Sequence, residues 1–302
     1  MKSNKFPGVS AVIPSYNDKD KVFNLLNSFK KNTYPNIEII VLVNGSVETL
    51  IEGKEKYKWV KWIDGGRENI GQTGCYNLGF AHANKKNSLL YIDSDVVIDK
   101  DMIANLVQSA QSDPKIGIVT PMILYLSDKN WVNQAGSNVD LMSGRVRVGW
   151  GPKKDFMIGR EVQNSGTVMF IKRSVVNKIG GVDNWFLCYF DPDYCLRAKK
   201  EGFITWYEPK AICFHDQSMN PNIWRPRVLT RAYLLGRNRV LFMRRHGNMI
   251  TFTFCLPLLI GFYLFESIKF KQVGKLFKLL WGTIVGYFYP LSSENYVPLP
   301  KI

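Results

Sequence analysis

The feature that most constrains this chain is the alternation, from residue 9 to about 120, of short β-rich runs with amphipathic helical segments. VSAVIP (9 to 14), IEIIVLV (37 to 43), VKWI (60 to 63), SLLYID (88 to 93) and IGIVT (116 to 120) read as strands. Between them Val22, Leu25, Leu26 and Phe29 recur at helical spacing, as do Met102, Ile103, Leu106 and Val107. Strand, helix, strand predicts an α/β fold with a mostly parallel sheet flanked by helices.

In such sheets ligands collect at the carboxyl ends of the strands. That rule selects Pro14, Ser15, Tyr16 and Asn17, then Asn44, then the loop at Asn69 and Gly71, and finally Asp93, Ser94 and Asp95. The last is the most informative, because two carboxylates one residue apart repel unless a cation lies between them. A turn explains Asp-Ser-Asp as simply. A hard divalent ion such as Mg²⁺ or Mn²⁺ explains its place at a strand end, since such ions share oxygen ligands with a substrate's phosphates.

The remainder is read in three pieces. Residues 121 to 165 are loops with short strands, followed by a strand and helix in GTVMFIKRSVVNKIGG. In WFLCYFDPDYCLRAKKEGF, Asp191 is placed to cap a helix, with Pro192 as its first residue and Gly202 as its stop. WYEPKAICFH ends a last strand at His215.

Past residue 220, seven arginines lie among aromatics and leucines before about 17 uncharged residues (249 to 265) and, after four lysines, a second apolar run. The first run falls short of the roughly 20 residues of a hydrocarbon span and contains Pro257 and Gly261. Arginines precede it and lysines follow it, which a simple hairpin would place on opposite sides against the positive-inside tendency. Helices lying in or re-entering the interface, cations against anionic headgroups, fit better, with one true span and ordinary soluble packing or a dimer interface as the alternatives.

A net charge of +15 is open to phosphates, nucleic acid or lipid. The interleaving of the basic residues with an apolar tail, and the lack of any nucleic-acid module, argue against nucleic acid. Five cysteines without a CxxC pair read as reduced thiols. No apolar run of signal-peptide length precedes Pro14, so the chain is expected to begin in the cytoplasm.

Taken in order, VSAVIPSYND, IEIIVLVNGS, ENIGQTGCYNLGFAHA, LLYIDSDVVID, the segment from GTVMFIKR to KKEGF, and His215 resemble the family 2 glycosyltransferases of GT-A fold over roughly residues 8 to 246. The likeness is greatest to the rhamnosyltransferase-like branch of cell-surface glycan assembly enzymes. It implies a GT-A catalytic domain over 1–220, with a nucleotide-sugar half to about 120 and an acceptor half to about 220. Residues 221–302 then form the basic and apolar membrane-association region.

The activity implied is inverting, metal-dependent transfer from a nucleotide-diphosphate sugar to a glycan or polyprenyl-linked acceptor at the cytoplasmic face of the membrane. Asp95 is expected to ligate the metal, with Asp93 near the ribose or the metal and His215 beside them. Pro14 to Asn17, Asn44, Asn69, Gly71, Asn77 and Ser94 line the donor site. Asp191 is the expected base and Asp193 the spare. Trp185 and Phe186 offer an acceptor platform, although core packing would use them equally well.

Two departures stand out. Val43 replaces the acid usual at the second strand's end, leaving Asn44 as a substitute for base recognition, and Phe190 replaces the Glu usual before Asp191. They motivate a rival, a catalytically impaired relative that binds glycan or lipid. A nucleotidyltransferase on a similar sheet is a second rival, separable by release of pyrophosphate instead of a nucleoside diphosphate.

Overall fold

The computed structural model describes residues 6–184 and 187–291. Its first part follows the predicted alternation: β1 (Val9–Tyr16), α1 (Lys19–Phe29), β2 (Ile37–Asn44), α2 (Val47–Lys56), β3 (Lys61–Asp64), α3 (Gly71–His82), β4 (Ser88–Ile92), β5 (Val96–Ile98) and α4 (Met102–Ser112). The strands β3, β2, β1 and β4 form a parallel block in that spatial order. Their register sets Tyr16 beside Asn44 and Val43 beside Asp64, so the carboxyl ends share one rim.

The second part supplies β6 (Ile116–Tyr125), β7 (Trp131–Gln134), β8 (Ser137–Asp140), β9 (Arg145–Val148), β10 (Gly151–Pro152), β11 (Arg160–Val162), β12 (Val168–Ile171), α5 (Arg173–Ile179), α6 (Phe190–Lys200) and β13 (Ile204–His215). Here the sheet becomes mixed: β12 runs antiparallel between β4 and β6, and β13 pairs parallel with β6. β6 also extends beyond the predicted IGIVT, because all ten of its residues are buried.

Strand alternation divides the core. Val9, Ala11 and Ile13 of β1 face α1 and α4, whose predicted apolar stripes are buried there, while Val12 faces Tyr76 of α3 and residues of α5 and α6.

Four more helices follow: α7 (Pro221–Leu229), α8 (Ala232–His246), α9 (Met249–Lys269) and α10 (Val273–Phe288). α8 is packed on both sides. A β-carbon at Gly282 of α10 would lie 2.1 Å from the Tyr233 carbonyl oxygen, and one at Gly236 of α8 would lie 2.3 Å from that of Leu279. Only glycines allow these two backbones so close. On its other side α8 shares an apolar cluster with Val139, Tyr189 and Leu196, so residues on either side of position 220 share one core.

α9 is longer than the run of 17 suggested. It spans 21 residues, about 32 Å at 1.5 Å per residue, with Pro257 inside it. Length and composition therefore suffice to cross a membrane. Ile250, Phe254, Leu258, Phe262, Phe265 and Ile268 make an exposed apolar stripe along it, continued on α10 by Phe277, Trp281, Ile284 and Phe288.

Candidate active site

The carboxyl rim of the parallel block opens into a cleft of about 600 Å³. Pro14, Ser15, Tyr16, Asn44, Asn69, Gly71, Asp93, Ser94, Asp95 and His215 all reach its wall. Beside it lies a second cleft of about 400 Å³ that holds Asp191, and the two share Gln72, Asp93, Thr167, Leu187 and Arg231. The pair makes one groove, with the strand-end carboxylates at one end and Asp191 at the other.

Asp93 and Asp95 face different partners, as the alternation of side chains at a strand end requires. Asp93 accepts hydrogen bonds from Tyr76 Oη at 2.8 Å and from the Gln72 amide. Burial, and then the Asp95 charge, push it well above the usual carboxylate range. Asp95 lies 3.2 Å from His215 Nε2 and 3.6 Å from Lys21 Nζ. Burial alone would raise it, but the His215 hydrogen bond and the charges of His215 and Lys21 hold it below that range.

His215 is oriented from behind: its Nδ1 lies 3.0 Å from Asn133 Oδ1, and the Asn133 amide donates to Gln217 at 3.1 Å. An acceptor at Nδ1 holds a proton there and points Nε2 at Asp95, where a second proton or a cation must join the two. A carboxylate oxygen and an imidazole nitrogen so placed suit a divalent ion. Among the described residues no three His, Cys, Asp or Glu side chains form a self-sufficient metal centre.

Asp191 stands in the first turn of α6, half-buried, and burial pushes it up to about 6 even though Asn164 hydrogen-bonds to it. Its placement depends on unusual backbone: Cys188 and Tyr189 both have positive φ, 65° and 63°. Buried Asn238 of α8 holds this bend by donating to the carbonyls of Leu187 and Cys188, the latter at 3.1 Å.

Other expected site residues lie elsewhere. Asp193 is fully buried and takes hydrogen bonds from Arg197 (2.9 Å), Arg245 (2.9 Å) and His246 (2.8 Å), a placement that packs α6 on α8 and keeps it off both clefts. Asn77 is also off the cleft walls; it clamps Val182 through both its amide and its carbonyl. Asn17 turns the chain after β1 at φ 54° with its carbonyl against Gly45. Trp185 and Phe186 lie outside the described residues.

Asn44 reaches the cleft, but its side chain is occupied. The amide donates to the carbonyls of Gly66 (2.9 Å) and Glu68 (2.6 Å), and Oδ1 accepts from Ile70 N at 3.0 Å. It shapes the loop that carries Asn69 and Gly71. Val43 packs in the core with Ile13 and Val41.

Several cleft residues were not foreseen. Gln72 and Tyr76 sit four apart on α3, a spacing that puts both on one face, and this was the one available signal. Lys21, Thr167 and Arg231 carry no local mark that separates them from other lysines, threonines and arginines.

A parallel β/α block whose strand ends carry Asp95, completed by a mixed sheet that brings in His215 and Asp191, is a GT-A fold. Residues 7–227 match the family described as Glycosyltransferase like family 2, and the chain belongs to that family: it is a glycosyltransferase. Among curated proteins it is 24% identical over 310 residues to a probable glycosyltransferase, YdaM, of Bacillus subtilis, covering 94% of this chain and 72% of that protein. It is 23% identical to the poly-beta-1,6-N-acetyl-D-glucosamine synthase of Staphylococcus aureus, with 93% of this chain aligned, and spans 64% of that protein's length.

Solved structures share the fold. The mannosyltransferase PcManGT of Pyrobaculum calidifontis, in complex with GDP-Man and Mn²⁺, superposes with a TM-score of 0.57 at 15% identity, covering 94% of this chain and 88% of that one. Residues 1–349 of S. aureus TarS give 0.54 at 14% identity, covering 92% and 80%.

Proposed function

We propose that this chain transfers a sugar, with inversion, from a nucleotide-diphosphate donor to a hydroxyl of a glycan or lipid-linked glycan at the cytoplasmic face of a membrane. The observation that carries this reading is the single groove with Asp95 and His215 at one end and Asp191 at the other. Assignment to the rhamnosyltransferase-like branch rests on motif order alone.

In this reading the donor's diphosphate lies over Asp95 and His215, with Lys21 and Arg231 adding positive charge. Asp95 and His215 would hold a divalent ion there, whose charge would neutralise the leaving diphosphate. Asp93, tied to Gln72 and Tyr76, faces the donor from the shared wall. Asp191 accepts the proton of the acceptor hydroxyl as its oxygen bonds to the anomeric carbon and the carbon–phosphate oxygen bond breaks on the opposite face. The raised pKa of Asp191 suits a base that works near neutral pH.

The exposed stripes of α9 and α10 are read as the surface that enters the membrane interface. The test is product analysis with a panel of nucleotide sugars. Release of a nucleoside diphosphate and an inverted anomeric centre support the reading. Pyrophosphate release, or retention of configuration, would overturn it.

A further inference from the structure

We propose that the pocket between α7, α9 and the β8–β9 hairpin binds the terminal phosphate of a single-chain lipid, through Arg145 and Arg239. This deepens the reading of a membrane-presented acceptor and rests on it.

The pocket encloses about 250 Å³, with Arg145, Arg225 and Arg239 around one carboxylate, Glu266. Glu266 is already engaged by Arg225 at 3.0 Å. Arg239 is only 8% exposed, yet its contacts are neutral phenols, Tyr189 Oη at 2.8 Å and Tyr263 Oη at 2.9 Å. Among the described residues neither Arg145 nor Arg239 has a carboxylate within ion-pair distance. Burying a guanidinium without a counter-anion is unfavourable, and tyrosine dipoles compensate only in part. An anion brought by a ligand completes the arrangement, and the planar fork of arginine matches a phosphate.

Position selects the anion's source. Arg239 and Val146 line both this pocket and the cleft that holds Asp191, which connects it to the acceptor end of the groove. The donor diphosphate has its own cations, Lys21 in the Asp95 cleft and Arg231 on the wall the two clefts share. Phe262 lines the pocket and belongs to the exposed stripe of α9, so an apolar chain leaving the pocket runs along a surface suited to it. The volume admits one phosphate and the start of one chain, whose remainder runs outside along the α9 stripe.

The test is partitioning of the full chain onto neutral phosphatidylcholine vesicles, plain or doped with a long-chain polyprenyl phosphate or with phosphatidylglycerol at matched surface charge. Wild type should prefer the polyprenyl phosphate over phosphatidylglycerol by at least ~tenfold, the scale of a charge-assisted hydrogen bond. Arg145→Gln, at an exposed position, should remove that preference while leaving binding to plain vesicles and Mn²⁺-dependent donor binding unchanged. Arg239→Lys should weaken it in the same direction.

Equal partitioning onto both anionic vesicles, or an Arg145→Gln protein that keeps the preference, would overturn the proposal. Displacement by millimolar inorganic phosphate would overturn the lipid source. Donor binding separates the two readings: a wild type that binds donor but shows no lipid preference sinks this proposal alone, whereas a wild type with the preference but no donor binding sinks the transferase reading alone.

Discussion

Asp193→Asn should damage stability far more than chemistry. Asp193 sits in the helix turn that carries Asp191, so position alone makes it a second candidate base, but its carboxylate is fully buried and accepts from Arg197, Arg245 and His246. Breaking a buried charge cluster by removing one partner costs about 3–5 kcal/mol. Asp183 stays beside Arg245 and lies 3.7 Å from Arg197, so the lower end, about 3 kcal/mol, is expected. At roughly 2–4 °C per kcal/mol for a chain of this size, Tm falls by about 6–12 °C.

Scanning calorimetry of wild type and variant at neutral pH measures the shift. It should shrink on acidification, since the cluster holds Asp193 below its unfolded value, and stability of that kind is lost as pH falls through the folded pKa. A variant with wild-type Tm but no transfer activity would refute this reasoning and make Asp193 the base.

The other predictions concern the groove and the apolar helices. Asp191→Asn should lower kcat by about 10²–10⁴ with donor Kd unchanged, and the wild-type rate should rise with pH through about 6 as Asp191 ionises, read from a pH–rate profile. Asn44→Ala should cost roughly 2–4 kcal/mol in a denaturant titration, because three backbone groups of the 66–70 loop lose their partner, and should weaken all nucleotides alike without altering base preference. Phe254→Ser with Phe265→Ser should cut partitioning onto neutral vesicles by at least ~100-fold at about 1.5–3 kcal/mol per buried ring, with Tm unchanged because both rings are exposed in the folded chain.

The parallel block was legible because period-2 and period-3.6 patterns are local: the stripes at Val22 to Phe29 and Met102 to Val107 are buried as the spacing requires. The insertion of β12 between β4 and β6 was not, since strand order depends on pairing between residues some fifty to eighty positions apart. The strand-end rule placed Asp93, Asp95 and Asn69 on the cleft, and the motif order added His215. It also drew in Asn77 and Asp193, which sequence cannot distinguish from cleft residues: their partners, Val182 and the Arg197, Arg245 and His246 group, are set by packing. Asn238 and Arg239 were hidden for the same reason, among seven arginines that looked like one membrane-facing patch.

The most direct measurement is calorimetric binding of UDP-, GDP-, dTDP- and CMP-linked sugars, with and without Mn²⁺, to wild type and to Asp95→Ala. The account predicts one nucleotide class whose binding needs both the ion and Asp95, and which Asp191→Asn retains. Binding that is indifferent to Mn²⁺ and to Asp95, or equal loss in Asp95→Ala and Asp191→Asn, would contradict the division of the groove into a donor end and a base end.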